Sequence, residues 1–510
     1  MPDFTYTERA EKFYNELMRE HYQVGAGLKE DLDLVPIYRR YADLFAEPAV
    51  RERIAALGSI LPPPPSPAGE PAPKESAARA NALKEARHLA DFAISSYIDN
   101  AVKELTEAIT NAELKATVVW DEKQIPYQNV RSVLVREPDS NRRHDLQSRQ
   151  LAVTVKQNPQ RLERLQGQHD LARRLGFKNY RGMIEQLRGW DLPVLSQALN
   201  LLVKETETIF DNRLDRYLSI AHVPRKQADT SDVAYVMRAP EFDPFFPGTR
   251  LLPSLEKTVS AMTLSLDSTP GLHLDTDPCP LKSPRAFCAP VRVPSEVYLV
   301  IKPIGGQDDY RALFHESGHA EHFSHVDADL PFAFRYLGEE AISETFAFLF
   351  EHLTLNPRWL VDVLRVPLRE AERYRRFALF NKLWLLRRYA AKLRYELVLH
   401  DEGPSGVDTA YREILGDILH VGIPPERYLD DVDDAFYVAG YLRAWIFECQ
   451  LSRFLLEHFG EGWYESREAG GFLKSLWSIG MRDPVDELAR TRIGARGLDP
   501  MPLIEELADF

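Results

Sequence analysis

Cysteine is scarce in this chain: Cys279, Cys288 and Cys449 are the only three in 510 residues. Three thiols so placed make neither a disulfide framework nor a cysteine-based metal spacing, and a reducing cytoplasm is the expected compartment. No run of about 18 apolar residues occurs, so no membrane-spanning helix and no membrane partner are expected. Residues 1–8 have neither a basic start nor an apolar stretch and do not read as a signal peptide. Positive charge is also in deficit. The 63 Lys and Arg against 77 Asp and Glu leave a net charge of -14, which argues against a nucleic-acid partner. There is no internal repeat. What is present, 44% hydrophobic and 27% charged residues, suits a globular protein, and the length exceeds that of one ordinary domain.

Three regions follow from the pattern. Residues 1–60 read as an N-terminal helical segment. Residues 61–75 contain Pro62-Pro63-Pro64-Pro65, Pro67, Pro71 and Pro73 and read as an extended linker or long loop. Residues 76–510 read as one largely helical region, with a core at about 284–355 and C-terminal helices over 356–510. Within it, 116–120 and 130–135 look β-like, separated by the turn-prone Asp121-Glu122-Lys123. Residues 285–303 form the most convincing β region and predict a hairpin, rich in Val, Tyr and Ile, whose free edge can pair with a peptide backbone. The helix expected over 370–400 carries Arg387, Arg388, Lys392 and Arg394 beside Leu383, Trp384 and Leu386 and reads as a core helix with a basic side.

The most informative stretch is His315-Glu316-Ser317-Gly318-His319. Two histidines four apart on a helix project from one face and can grip one Zn²⁺. The glutamate after the first histidine then serves as general base for a water that the metal activates. Asp308 or Asp309 can cap the helix, and Ser317 and Gly318 leave the metal side uncrowded. Two ligands are too few, and no cysteine is near, so the third should be His, Asp or Glu. The apolar stretch 338–350 opens with carboxylates. Glu340 is assigned as the third ligand, with Glu344 as the acceptor for a ligand histidine's other ring nitrogen; Glu344 as ligand is the main rival. His322, one turn beyond the pair, is expected to hydrogen-bond rather than coordinate, and His325 to end the helix. One Zn²⁺ per chain is the cofactor.

Residues 315–322 match HExGHxxH, and the chain here resembles the thimet oligopeptidase and oligopeptidase F family of zinc metallopeptidases. Glu340-Ala341-Ile342-Ser343 is similar to that family's ExxS, and Glu340 to Glu344 is similar to the EAIGD segment of angiotensin-converting enzyme. Ala286-Phe287-Cys288 resembles the family's substrate-side strand, the residues from Leu476 to Asp499 resemble its closing segment, and Leu175-Gly176-Phe177-Lys178-Asn179-Tyr180 is a weaker match. The resemblance implies a mostly α, two-lobed peptidase with a deep central channel that admits short peptides and excludes folded proteins.

It also implies tyrosine hydroxyls near the C-terminal end that stabilise the oxyanion. Gly440-Tyr441-Leu442 is similar to the family's GYL, which points to Tyr441 and then to Tyr437, four residues before it. Tyr441-Leu442-Arg443 is similar to the YxR of angiotensin-converting enzyme, but Ala444 stands where that enzyme has its tyrosine, and no histidine occurs over 428–440. The expected activity is hydrolysis of short peptides, with Glu316 moving the proton. A carboxypeptidase or dipeptidyl carboxypeptidase is the alternative, with Arg443 or the basic helix over 370–400 as the source of a substrate-binding cation. A peptide binder that has lost catalysis is the third reading.

Overall fold

The computed structural model describes residues 4–29, 32–60, 77–266, 268–279, 281–283, 285–403 and 406–508. The expected linker at 61–75 lies outside these residues. Helix makes up 71% and strand 5% of the structure, the mostly α composition that the periodicity anticipates. No helix among the described residues is long and apolar enough to cross a membrane. The chain divides into two compact units. The first gathers Met1–Asn100, Pro244–Ala371 and Arg443–Asp499; the second gathers Ala101–Asp243, Glu372–Leu442 and Pro500–Phe510.

The first unit is built on a three-stranded sheet in the order β3-β5-β4, where β3 is Leu272–Asp275, β4 is Phe287–Arg292 and β5 is Glu296–Val300. The hairpin expected over 285–303 is the antiparallel pair β4 and β5; β3 runs parallel to β5 on its other side. As the central strand, β5 buries Val297, Leu299 and Val300 completely, which explains its unbroken apolar run. The N-terminal helix Phe4–Gly25 packs along this sheet: Tyr22 stacks on Tyr298 at 3.8 Å, and Arg19 donates to Glu296 at 2.6 Å. The helix Gln307–Ser324, here the motif helix, lies against β4 and β5 and against a second helix, Ala341–Leu353. The latter buries nearly every residue, as a helix apolar on all sides must. Neither expected aspartate caps the motif helix; Gly306 occupies that position, and Asp309 Oδ2 accepts the amides of Ile304 and Gly305 at 2.6 Å each.

In the second unit, β1 (Thr117–Trp120) and β2 (Lys123–Pro126) form a hairpin. Its two-residue turn, Asp121-Glu122, has positive φ at both positions, the geometry that matches strand twist. Residues 130–135 are not a strand. Val130–Leu134 is a short helix because Val130 and Leu134, four apart, both enter a small core with Val118, Trp120 and Leu146; tertiary packing overrides β propensity here. The long helix Ser140–Arg174 contains Pro159, and the Arg161 guanidinium donates to the Thr154 carbonyl in the turn before it. The helix Leu368–Glu402 matches the expected basic helix, and much of its charge is internalised: the fully buried Arg387 donates to the carbonyls of Val203 and Ile418 and to Glu207.

Asp232 and Arg143 in this unit form an ion pair at 2.5 Å with both side chains fully buried. Burial works against the Asp232 charge. Hydrogen bonds from His144, the Asp229 amide, Arg143 and Ser140 outweigh it and hold the carboxyl below its usual range. A depressed carboxyl contributes stability that is present above its unfolded value and lost as pH falls through the folded one. Asp232→Asn leaves Arg143 charged and buried, and should lower unfolding free energy in urea by about 3–5 kcal/mol at neutral pH. The difference from wild type should shrink as pH falls below the normal carboxylate range.

Candidate metal centre

His315 and His319 lie on one face of the motif helix, with ring centroids 5.0 Å apart. The residue between their turns sets what they face. A Cβ at Gly318 would sit 2.3 Å from the Phe346 carbonyl oxygen and 2.6 Å from Ala347 Cα. The two helices therefore touch backbone to backbone, and Gly318 is turned toward Ala341–Leu353 rather than toward a metal. Alanine is a better helix former by about 1 kcal/mol, but a carbon at that distance from main chain would force the helices apart, and overpacking costs about 1–3 kcal/mol or more.

That close approach brings Glu344 opposite the histidines. Its Oε2 is 3.4 Å from His315 Nε2 and 3.8 Å from His319 Nε2, and the three ligating atoms fall within one 4.8 Å cluster. Zinc bonds of about 2.0–2.2 Å imply tetrahedral edges of about 3.3–3.6 Å; the His315–Glu344 distance falls in that range, the His319–Glu344 distance is slightly longer, and the three atoms are close enough together to hold one metal ion. The outer nitrogens are engaged. His315 Nδ1 is 3.0 Å from Glu351 Oε2, which can only accept, so Nδ1–H donates and Nε2 is the nitrogen turned toward Glu344. Glu351 Oε1 in turn accepts from Arg311 at 3.0 and 2.5 Å. His319 Nδ1 lies 2.7 Å from Ser343 Oγ.

The electrostatics call for a cation. Burial disfavours charge on His315, but Glu344 and Glu351 prevail and lift its pKa to about 10. Burial brings His319 down to about 4. A proton on one imidazole thus stands where a dication between two imidazoles and a carboxylate would satisfy all three groups. Glu316, the next residue, is raised to about 7 by burial, against the lowering influence of His315 and of the Cys288 amide. That amide, on β4, donates to Glu316 Oε2 at 2.9 Å. The strand has β5 on one side only, so the carboxylate is held at a sheet edge.

Four expected assignments change or sharpen. Glu340 is outside the cluster and Glu344 is in it. Glu340 precedes the helix, which begins at Ala341, and stands four residues, about 6 Å of helix rise, before Glu344. Arg443 has its guanidinium on Glu339 at 3.0 Å and Asp486 at 3.1 Å, and Glu339 also accepts the Val485 amide. His322 is fully buried between Phe323 and Phe346, its pKa brought down to about 3 by burial. Tyr437 and Tyr441 belong to the second unit, where their rings meet edge to face at 5.0 Å and Tyr441 also meets Tyr389. His325 does end the motif helix.

Glu351, Arg311, Ser343 and the Cys288 amide were missed by the sequence reading. A signal existed for two of them: Glu351 is a second glutamate two turns after Glu344 on an apolar helix, and Arg311 lies one turn before His315. Two further groups among the described residues have metal-like spacing, His144 with Asp229 and Asp232, and Glu207 with Asp211 and His420. Arginines already neutralise both, Arg143 in the first and Arg225 and Arg387 in the second. No protein-family model matches the chain, and no curated protein matches it.

Calorimetric titration of the metal-free protein with Zn²⁺ should show one site per chain. Glu351→Gln should weaken it about 10- to 100-fold. Glu344→Gln should weaken it further, and Glu340→Gln should leave it unchanged.

Proposed function

We propose that this chain is a zinc-dependent metallopeptidase that hydrolyses short peptides. One observation carries the reading: the ligating atoms of His315, His319 and Glu344 cluster closely enough to share one metal ion, with the Glu316 carboxylate held near them by the main chain of a sheet-edge strand. A pure metal store has no use for that fourth, non-ligating acid.

The resemblance to the thimet oligopeptidase and oligopeptidase F family is part of the proposal, as are the two lobes with a channel for unstructured peptides and the cytoplasmic setting that it suggests. When bound, zinc supplies Lewis acidity that polarises a carbonyl and acidifies a water. The chain's own groups do the rest. His315 and His319 present Nε2 because Glu351 and Ser343 occupy Nδ1. Glu316, raised to about 7, takes the proton of the attacking water and passes it to the leaving amine, a task suited to a group poised near neutral pH. In this reading a peptide pairs with the edge of β4 that has no strand neighbour among the described residues, which brings its scissile carbonyl past that carboxylate. Tyr441, or Tyr437, is the proposed donor to the oxyanion. The exopeptidase alternative needs an available cation for the substrate C-terminus. Arg443, one of the two sources suggested for that role, is held by Glu339 and Asp486, which leaves the basic helix Leu368–Glu402 as the other source for that alternative.

Incubation with a mixed peptide library, read by mass spectrometry, tests the proposal. Internal cuts that vanish with chelator and return with Zn²⁺ are expected. Glu316→Gln should lose at least about 10²- to 10⁴-fold in rate while still binding zinc. Absence of zinc-dependent cleavage, or full activity in the Gln variant, would defeat it.

A further inference from the structure

The backbone that leads into the tyrosine helix is strained. Ala435 has φ 54° and ψ 28°, and Phe436 has φ 53°. Two consecutive residues other than glycine in the left-handed region are costly, and such geometry persists only where the surroundings over-determine it. Here they do. Asp433 donates its amide to Glu396 at 2.8 Å and pairs with Lys392 at 2.8 Å. Asp434 accepts from Arg164 at 3.0 Å and from Gln168 at 2.9 Å. The Ala435 amide donates to the Tyr180 hydroxyl at 3.0 Å. Phe436 is fully buried against His400 at 4.7 Å. The next residue, Tyr437, returns to right-handed geometry and begins the helix Tyr437–Phe459, whose first two turns carry Tyr437 and Tyr441.

Tyr180 is the member of this clamp that grips the strained residue itself. It opens the short helix Tyr180–Arg188, and its ring stacks on His400 at 4.9 Å and on His169 at 5.5 Å. The two imidazoles meet through His169 Nε2 and His400 Nδ1 at 2.8 Å. The ring is thus fixed by packing, and its hydroxyl is aimed at one main-chain amide. Glycine at 435 and 436 would make the same corner without strain. The chain has Ala and Phe there, so the corner is held in one geometry by its neighbours instead of being free to swing.

We propose that the left-handed corner at Ala435-Phe436 sets the arrangement of Tyr437 and Tyr441, and that Tyr180 is the positioning residue that holds it. This rests on the reading of the protein as a peptidase whose oxyanion donor is one of those tyrosines. It adds that the donor is pre-arranged before substrate arrives, through a residue more than 250 positions away in the chain.

The test uses the full chain labelled with 3-fluorotyrosine, with the Tyr437 and Tyr441 ¹⁹F lines assigned through Tyr437→Phe and Tyr441→Phe. Tyr180→Phe keeps the stacked ring and removes only the hydroxyl. It should shift or broaden the Tyr437 and Tyr441 lines while most other lines stay in place. In peptide cleavage Tyr180→Phe should lower kcat about 10- to 100-fold with KM unchanged, and cost nothing more when both tyrosines are already Phe. Unmoved lines in Tyr180→Phe, or the same loss of kcat in both backgrounds, would overturn the proposal. If the wild-type protein cleaves no peptide, the peptidase reading fails, and the ¹⁹F lines still decide whether the corner sets the tyrosines.

Discussion

The contact between Gly318 and the main chain at Phe346 is the constraint on which the candidate site depends. A tetrahedral metal tolerates little error in ligand position, and side chains that start from two helices can reach one point only if the helix axes are close. The pair here closes until one backbone meets the other. The Glu344 side chain then spans the remaining gap, and Phe348, one turn on, packs edge-on against the His315 ring at 5.2 Å. At a wider separation the carboxylate would fall short of the two imidazoles.

The same helix pair arranges its charges in layers. Glu344 faces the two Nε2 atoms, and Glu351 sits behind His315 and is itself neutralised by Arg311. Burial alone would raise the Glu351 carboxyl. Arg311 and His315 reverse this and hold it far below the usual carboxylate range. An ionised acid behind an imidazole keeps that ring oriented and basic, so Nε2, the nitrogen turned toward the candidate site, is prepared by a group outside the cluster of ligating atoms.

Much of this was legible in the sequence, and the failures are physical. The motif helix, the hairpin beside it, the apolar helix with its carboxylates and the long basic helix all announced themselves by periodicity. The choice between Glu340 and Glu344 did not. Both share a helix face, and only the axial offset between two helices, fixed by the glycine contact, selects one. Val130–Leu134 was misread because the three valines within residues 130–135 cannot reveal which neighbours will bury them. Arg443 looked available because its partners, Glu339 and Asp486, are more than 40 residues away on either side in the chain. The Cys288 amide could not have been found at all, since every residue but proline offers one.

That last point reaches further. The carboxylate assigned to proton transfer is held by the main chain of an edge strand, and a main-chain donor is indifferent to the side chain that carries it. The bond itself asks only for an N–H at residue 288, and proline, which has none to give, would let the acid go. The hold on Glu316 is in this sense written into the course of the strand rather than into its letters, and it lasts as long as β4 keeps its place beside the motif helix.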